Sequence, residues 1–150
     1  MEVFDLKDKK EFLYEVMKLE LLEWSDKEFD DIDEAVNKKI DKYNKYVDLN
    51  DFCKLILVDK DDLIGFISLF PYDCEEEKDL SPWYATMFVK KEYRGKGYSK
   101  LLNDAILEEA KKRGFKEVYL KTELINYYEK FGAVPIKIMS TGEQLLKFEL

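Results

Sequence analysis

The residues of this chain best suited to binding chemistry lie in VKKEYRGKGYSKLL, positions 89–102. Gly95 and Gly97 stand one residue apart, and Lys90, Lys91, Arg94, Lys96 and Lys100 put five cations within eleven positions. A strand pattern, WYATMFV at 83–89, runs into this stretch, and a helical pattern of Leu101, Leu102, Ala105, Ile106 and Ala110 leaves it. A helix beginning there exposes N–H groups that have no partner inside the helix, and its dipole favours negative charge. The glycines let the backbone turn sharply and approach a ligand closely. With Arg94, Lys96 and Lys100 beside it, such a loop is suited to a phosphate or pyrophosphate. Spacing narrows the kind. A P-loop needs four residues between its glycines, and a dinucleotide fingerprint needs a third glycine where Lys100 stands. Neither pattern fits, and a loop that merely joins strand to helix remains the plain alternative.

Charge agrees with a local anion site. Residues 1–80 carry 24 acids and 12 bases and residues 81–150 carry 9 and 13, so −12 and +4 give the chain's −8. An acidic chain is poorly suited to general nucleic-acid binding, which is driven by phosphate neutralisation. A positive patch within it suits a small polyanion, and the acidic remainder suits a cationic partner. There is no histidine, which excludes Ser-His-Asp and Cys-His mechanisms. Cys53 and Cys74 lack CxxC spacing, so no metal site is expected and both are read as free thiols of a reducing cytoplasm. No run is apolar enough to span a bilayer, and MEVFDLKDKK lacks the pattern of a signal peptide, so a cytoplasmic location without membrane attachment is expected.

The positioning elements follow from periodicity. At 150 residues, with no repeat or Pro/Gly-rich linker, the chain reads as one domain, 1–150. EVFDL opens it as a strand. Asp8 and Glu11 resemble a capping box, followed by Phe12, Leu13, Val16, Met17 and Leu21 at helical spacing to about Trp24. Ile32, Val36, Ile40, Tyr43 and Val47 mark a second helix. DFCKLILV and LIGFISLF form a hairpin across DKDD, and residues 71–82 form a polar loop before WYATMFV. The helix after the glycines carries Lys111, Lys112 and Arg113 in its last turn and stops at Gly114. EVYLKT is a strand, LINYYEKF a short helix, and VPIKIM and QLLKFEL two more strands. Hairpins mixed with a strand–helix–strand crossover imply a mixed, mostly antiparallel α/β (α+β) sheet of six to seven strands flanked by helices.

VKKEYRGKGYSKLL resembles motif A of the GNAT-superfamily N-acetyltransferases, Gln/Arg-x-x-Gly-x-Gly/Ala, with Arg94, Gly97 and Ser99 at the three named positions. NYYEKFGAV resembles a second signature, aromatic-Tyr-Glu-Lys-Leu-Gly-Phe, with Tyr128, Glu129, Lys130 and Gly132 in place and Ala133 replacing Phe. The element order is similar to that superfamily's fold over essentially the whole chain. The resemblance implies acetyl-CoA as co-substrate, with no metal, and direct transfer to a primary amine, most simply of a small molecule. Acetylation of a protein lysine or N-terminus and a catalytically weak acyl-CoA-binding sensor are the alternatives.

Residue roles follow from the same resemblance. Met87 N–H would polarise the thioester carbonyl, and oriented donors at a developing oxyanion are typically worth ~2.7–4 kcal/mol each. Val89 would pair with the pantetheine arm through its backbone, Phe88 beside it would contribute to coenzyme binding, and the amides of Gly95, Lys96, Gly97, Tyr98, Ser99 and Lys100, with Arg94, would take the pyrophosphate. Tyr128 would protonate the departing sulfur, with Tyr127 pointing elsewhere. Trp83 and Tyr84 would form an aromatic wall for the amine. Asp73, with Glu75, Glu76, Glu77 and Asp79, would form a diffuse lure for it, because no acid occupies the strand position where some relatives keep their base. Partners expected are an amine acceptor and, as an open alternative, a second copy in a homodimer.

Overall fold

The structure, a computed structural model, describes residues 1–25 and 28–150. Strands β1 (Glu2–Asp5), β2 (Cys53–Asp59), β3 (Asp62–Phe70), β4 (Trp83–Val89), β5 (Glu117–Thr122), β6 (Val134–Ile138) and β7 (Gln144–Glu149) form one sheet in the order β1-β2-β3-β4-β5-β7-β6. Every pair is antiparallel except β4 and β5. That pair is joined through helix α3 (Tyr98–Lys112), the crossover that parallel strands require. Helices α1 (Leu13–Trp24) and α2 (Ile32–Tyr46) cover the opposite face of the sheet. The fold expected from the sequence is the fold observed.

Alternation along the central strands divides the core in two. Ile67, Leu69, Tyr84 and Val89 pack with Leu102 and Ile106 of α3, whereas Ile56, Val58 and Phe66 pack with Val16, Met17 and Val36 of α1 and α2. Because β2 and β3 are buried on both faces, their patterns are nearly continuous apolar runs. At the far edge, β6 is exposed at every position and carries Pro135, a residue that edge strands tolerate because one side of the ladder is unpaired.

Three local expectations need correction. Asp8 does not cap α1. Asp5 caps a short 3-10 turn at Leu6–Asp8 instead, and α1 starts at Leu13 after Phe12, without a side-chain cap. LINYYEKF is not a helix over its length, since only Tyr128–Phe131 wind, as one 3-10 turn closed by left-handed Gly132. The strand read as VPIKIM ends at Ile138, and Met139 turns into the buried cluster around Trp83. The second helix behaves as expected, with Asp31 accepting a hydrogen bond from Glu34 N–H at 3.1 Å.

Gly65 was not singled out by its sequence context, yet packing requires it. A Cβ there would lie 2.3 Å from the carbonyl oxygen of Phe88. Its absence lets β4 approach β3 closely beside the glycine loop.

Candidate active site

β4 and β5 pair at one position only, Trp83 with Tyr119, supported by a 3.0 Å hydrogen bond from Tyr119 N–H to the Pro82 carbonyl. Beyond it the paired register stops, leaving the later part of β4 without β5 as a ladder partner. On its other side, β4 changes register against β3: Ser68 faces Ala85 and Phe66 faces Phe88, so Thr86 and Met87 together oppose Ile67. This is a β-bulge, which bends a strand and re-aims its groups. The extra residue lets Tyr84, Met87 and Val89 all contribute to the α3-side core despite the odd spacing from 84 to 87. Thr86 takes up the irregularity at φ 49°. A left-handed conformation costs an L-residue about 1–2 kcal/mol, and for a β-branched residue it is a marked outlier.

β4 leads through a 3-10 turn at Lys91–Tyr93 into the glycine loop. Gly95 at φ 79° and Gly97 at φ 83° adopt the left-handed region that other residues avoid. Gly97 is the N-cap of α3 and offers no side-chain cap, so the helix's leading amides remain available to an anion. Arg94 reaches back, its Nε donating to the Val89 carbonyl at 2.8 Å, with its guanidinium 5.7 Å from the Phe88 ring centre. The motif arginine therefore braces the end of β4 as well as bordering the loop.

A cleft of about 370 Å³ runs along these elements, lined by Met87, Phe88, Val89, Arg94, Gly95, Gly97, Tyr98 and Ser99. Tyr93, Tyr127 and Glu23 complete it. The structure thus brings most of the expected coenzyme residues together. Lys96 and Lys100 stay outside the lining: Lys96 lies exposed over the Tyr93 ring, and Lys100 pairs with Asp104 at 2.7 Å along the helix surface. Tyr127, expected to point elsewhere, reaches the cleft. Tyr128 lies behind it, edge-on to Tyr84 and Tyr127 at centroid distances of 5.6 and 4.8 Å. Burial, then the neighbouring Tyr127, pushes the Tyr128 phenol up to about 12, which keeps its proton in place at neutral pH.

The expected amine wall is not open. Trp83 is fully buried, with its indole N–H donating to the Leu80 carbonyl at 2.7 Å, and Tyr84 is buried with its hydroxyl on Asn103 Oδ1 at 2.9 Å. Both serve as core, and Tyr84 backs Tyr128. Nor are the loop acids a free cloud. Glu76 accepts from Ser140 N–H at 3.2 Å and Glu77 pairs with Lys137, tying the loop to β6 and the turn after it, while Glu75 pairs with Lys78 within the loop.

Asp73 is different. It lines a second cavity, of about 290 Å³, beneath α1 and α2, among Tyr43, Tyr46, Phe52, Phe70 and Tyr72. Desolvation raises its carboxyl to about 6, opposed by Lys121. Two charged residues at the floor of this cavity escaped the sequence reading: Glu20 of α1 and Lys54 of β2, buried and 2.9 Å apart. Burial pushes the Lys54 ammonium below its usual range while Glu20 pulls it back. Glu20 falls on the apolar stripe with Val16 and Met17, and Lys54 interrupts an apolar strand. Two opposite charges at core positions were the available signal.

The profile of the acetyltransferase (GNAT) family matches residues 12–133. The chain belongs to the GNAT family. This member is 33% identical over 82 residues to N-alpha-acetyltransferase 30 of Schizosaccharomyces pombe (strain 972 / ATCC 24843), covering 51% of this chain and 54% of that one. The match therefore spans about half the length of that relative. Its fold is similar to the structure of yncA from Salmonella typhimurium with its cofactor acetyl-CoA, at TM-score 0.75 and 15% identity, covering 100% of this chain and 94% of that one. It is also similar to aminoglycoside 6'-N-acetyltransferase complexed with coenzyme A, at TM-score 0.70 and 17% identity, covering 99% and 97%. These likenesses are to the fold. The GNAT resemblance drawn from the two motifs is thereby confirmed.

Proposed function

We propose that this GNAT member transfers acetyl from acetyl-CoA directly to a primary amine of a small molecule. One observation carries the reading: β4 loses its β5 ladder beside a bulge, and the same strand ends at the uncapped N-terminus of α3. The residues fit the coenzyme, since two left-handed glycines and the free leading amides form a cradle for a pyrophosphate. When bound, acetyl-CoA supplies an acyl group already activated toward amines.

The chain's own residues would then do the following. Amides from Gly95 to Lys100 hold the diphosphate, while Phe88 and Val89 border the arm. Met87 N–H donates to the acyl oxygen. Tyr128, neutral at rest, provides the proton for the departing sulfur, and Tyr127 is the rival donor because it lines the cleft. Glu23, lining that cleft with Met87, is the proposed acceptor of the amine's proton. Asp73 is suited to an ammonium-bearing acceptor by charge, in a cavity whose lining also carries Lys39, Lys42 and Lys54, with Lys42 and Lys54 already lying over the Tyr46 and Phe70 rings. A cytoplasmic location is part of this proposal.

A second reading, acetylation of a peptide N-terminus, is favoured by the likeness to N-alpha-acetyltransferase 30. The test is coenzyme A release with a panel of small amines and of short peptides with free or blocked N-termini. Turnover with small amines supports the first reading, turnover confined to free N-termini the second. Tight acetyl-CoA binding with no turnover would identify a sensor.

A further inference from the structure

Four polar side chains form one hydrogen-bonded line from α1 across β2, β3 and β4 to the bulge. Lys54 Nζ lies 2.9 Å from Glu20 Oε2 and 2.7 Å from Ser68 Oγ, and Ser68 Oγ lies 2.5 Å from Thr86 Oγ1. Glu20 is 5% exposed, Lys54 3% and Ser68 0%. Lys54 also sits 4.8 Å from the Phe70 ring centre, and Lys39 approaches Glu20 from α2 at 4.0 Å.

Neither end of this line is explained by stability. A buried ion pair is frequently no more stabilising than the apolar side chains that could replace it. Threonine is a poor choice for a left-handed position, where glycine would be unstrained. Strained backbone persists where its surroundings over-determine it, and it clusters at functional sites. Here both unfavourable choices converge on Thr86, the residue directly before Met87 in the bulge.

We propose that Glu20, Lys54, Ser68 and Thr86 are a positioning network that locks the bulge and so sets the Met87 amide for the acyl oxygen. The inference rests on the acetyltransferase reading of the cleft. The ammonium donates to Glu20 and to Ser68, fixing the serine hydroxyl, and that hydroxyl holds Thr86. Removing the hydroxyl contact leaves the strand free to relax toward ordinary pairing, which re-aims Met87 while the glycine loop stays intact. The network acts through Met87 and is distinct from the groups that exchange protons.

The test uses the hydroxyl members, because losing Lys54 or Glu20 alone would strand a buried charge. Thr86→Val keeps the branched shape and Thr86→Ser keeps the hydroxyl; Ser68→Ala removes the anchor. Thr86→Val and Ser68→Ala should lower kcat tenfold or more, with KM for acetyl-CoA and Kd for coenzyme A within twofold of wild type. Thr86→Ser should restore kcat to within threefold. Amide exchange should show altered protection at Met87 in the two impaired variants, with Leu120 in β5 unchanged. Wild-type kcat together with unchanged Met87 exchange in Thr86→Val would overturn the network. Equal losses in kcat and coenzyme A affinity would also overturn it, by showing general damage to the cleft. A wild type that acetylates no amine would overturn the functional reading alone, and the exchange measurement would still judge the network.

Discussion

Gly97 offers the sharpest perturbation of the cradle, because conformation and ligand contact can be separated there. At φ 83° any other residue is strained, by about 1–2 kcal/mol. A Cβ on Gly97 would meet nothing within 4 Å, so no steric clash within the protein adds to that cost. Gly97→Ala and Gly97→Glu should therefore lose similar stability without ligand. At about 2–4 °C per kcal/mol for a chain of this size, the melting temperature should fall by roughly 2–8 °C. Ligand then separates the two variants. Acetyl-CoA at a hundred times its Kd stabilises wild type by ~2.7 kcal/mol, a rise of about 5–11 °C on the same scale. The alanine variant should keep part of that rise, while the glutamate variant, with a carboxylate facing the diphosphate, should show none. The assay is a thermal melt of each protein with and without acetyl-CoA. A full ligand-induced rise in Gly97→Glu would refute the placement of the diphosphate at this loop.

Other outcomes follow from the same geometry. Gly65→Ala should lower stability by about 1–3 kcal/mol, measured by urea unfolding, because its Cβ meets the Phe88 carbonyl at 2.3 Å and β4 must shift. Tyr128→Phe should lower kcat by about 10²–10⁴-fold, in kinetics limited by chemistry, with coenzyme A binding retained; if Tyr127→Phe alone does so, the donor is Tyr127. Glu23→Gln should lower kcat at least about tenfold with coenzyme A binding retained. Asp73 has a folded pKa of about 6, raised above its unfolded value, so its ionisation weakens the fold as pH rises. Asp73→Asn should therefore gain up to about 3 kcal/mol of stability at pH 7, a gain that fades on acidification from pH 6 toward 4. In the wild type, KM for a cationic amine should fall as pH rises through about 6 and Asp73 becomes charged.

What was legible in the sequence had a local cause. Strand and helix periods, the glycines' need for left-handed backbone and the dipole of α3 all act within a few residues. They placed the strands, the helices and the glycine loop at the start of α3. What was not legible depends on partners far along the chain. Trp83 and Tyr84 look alike beside a strand whether they form a wall or a core, and only packing on Leu80, Asn103 and Tyr128 decides. Tyr127 lines the cleft although its neighbour Tyr128 carries the motif position, and the segment before Gly132 winds as a single 3-10 turn rather than a helix. The bulge at Thr86 has no signature in WYATMFV, since it is a property of the register against β3. The Glu20–Lys54 pair joins residues 34 positions apart, although each was visibly out of place in its apolar pattern. The acids of the loop at 71–82 read as a diffuse lure because the partners of Glu77 and Glu76, Lys137 and Ser140, come from the β6–β7 segment.

Direct transfer to an amine is tested most closely by a single turnover with acetyl-CoA labelled in its acetyl carbon. Enzyme is in excess, and a small primary amine is chosen from those that support coenzyme A release. The account predicts that all label leaving the coenzyme appears as an amide on the amine nitrogen, in step with thiol release, and that none is trapped on the protein when the reaction is quenched early. Label held on the chain, at Cys74 or elsewhere, or thiol release that yields only acetate, would contradict it.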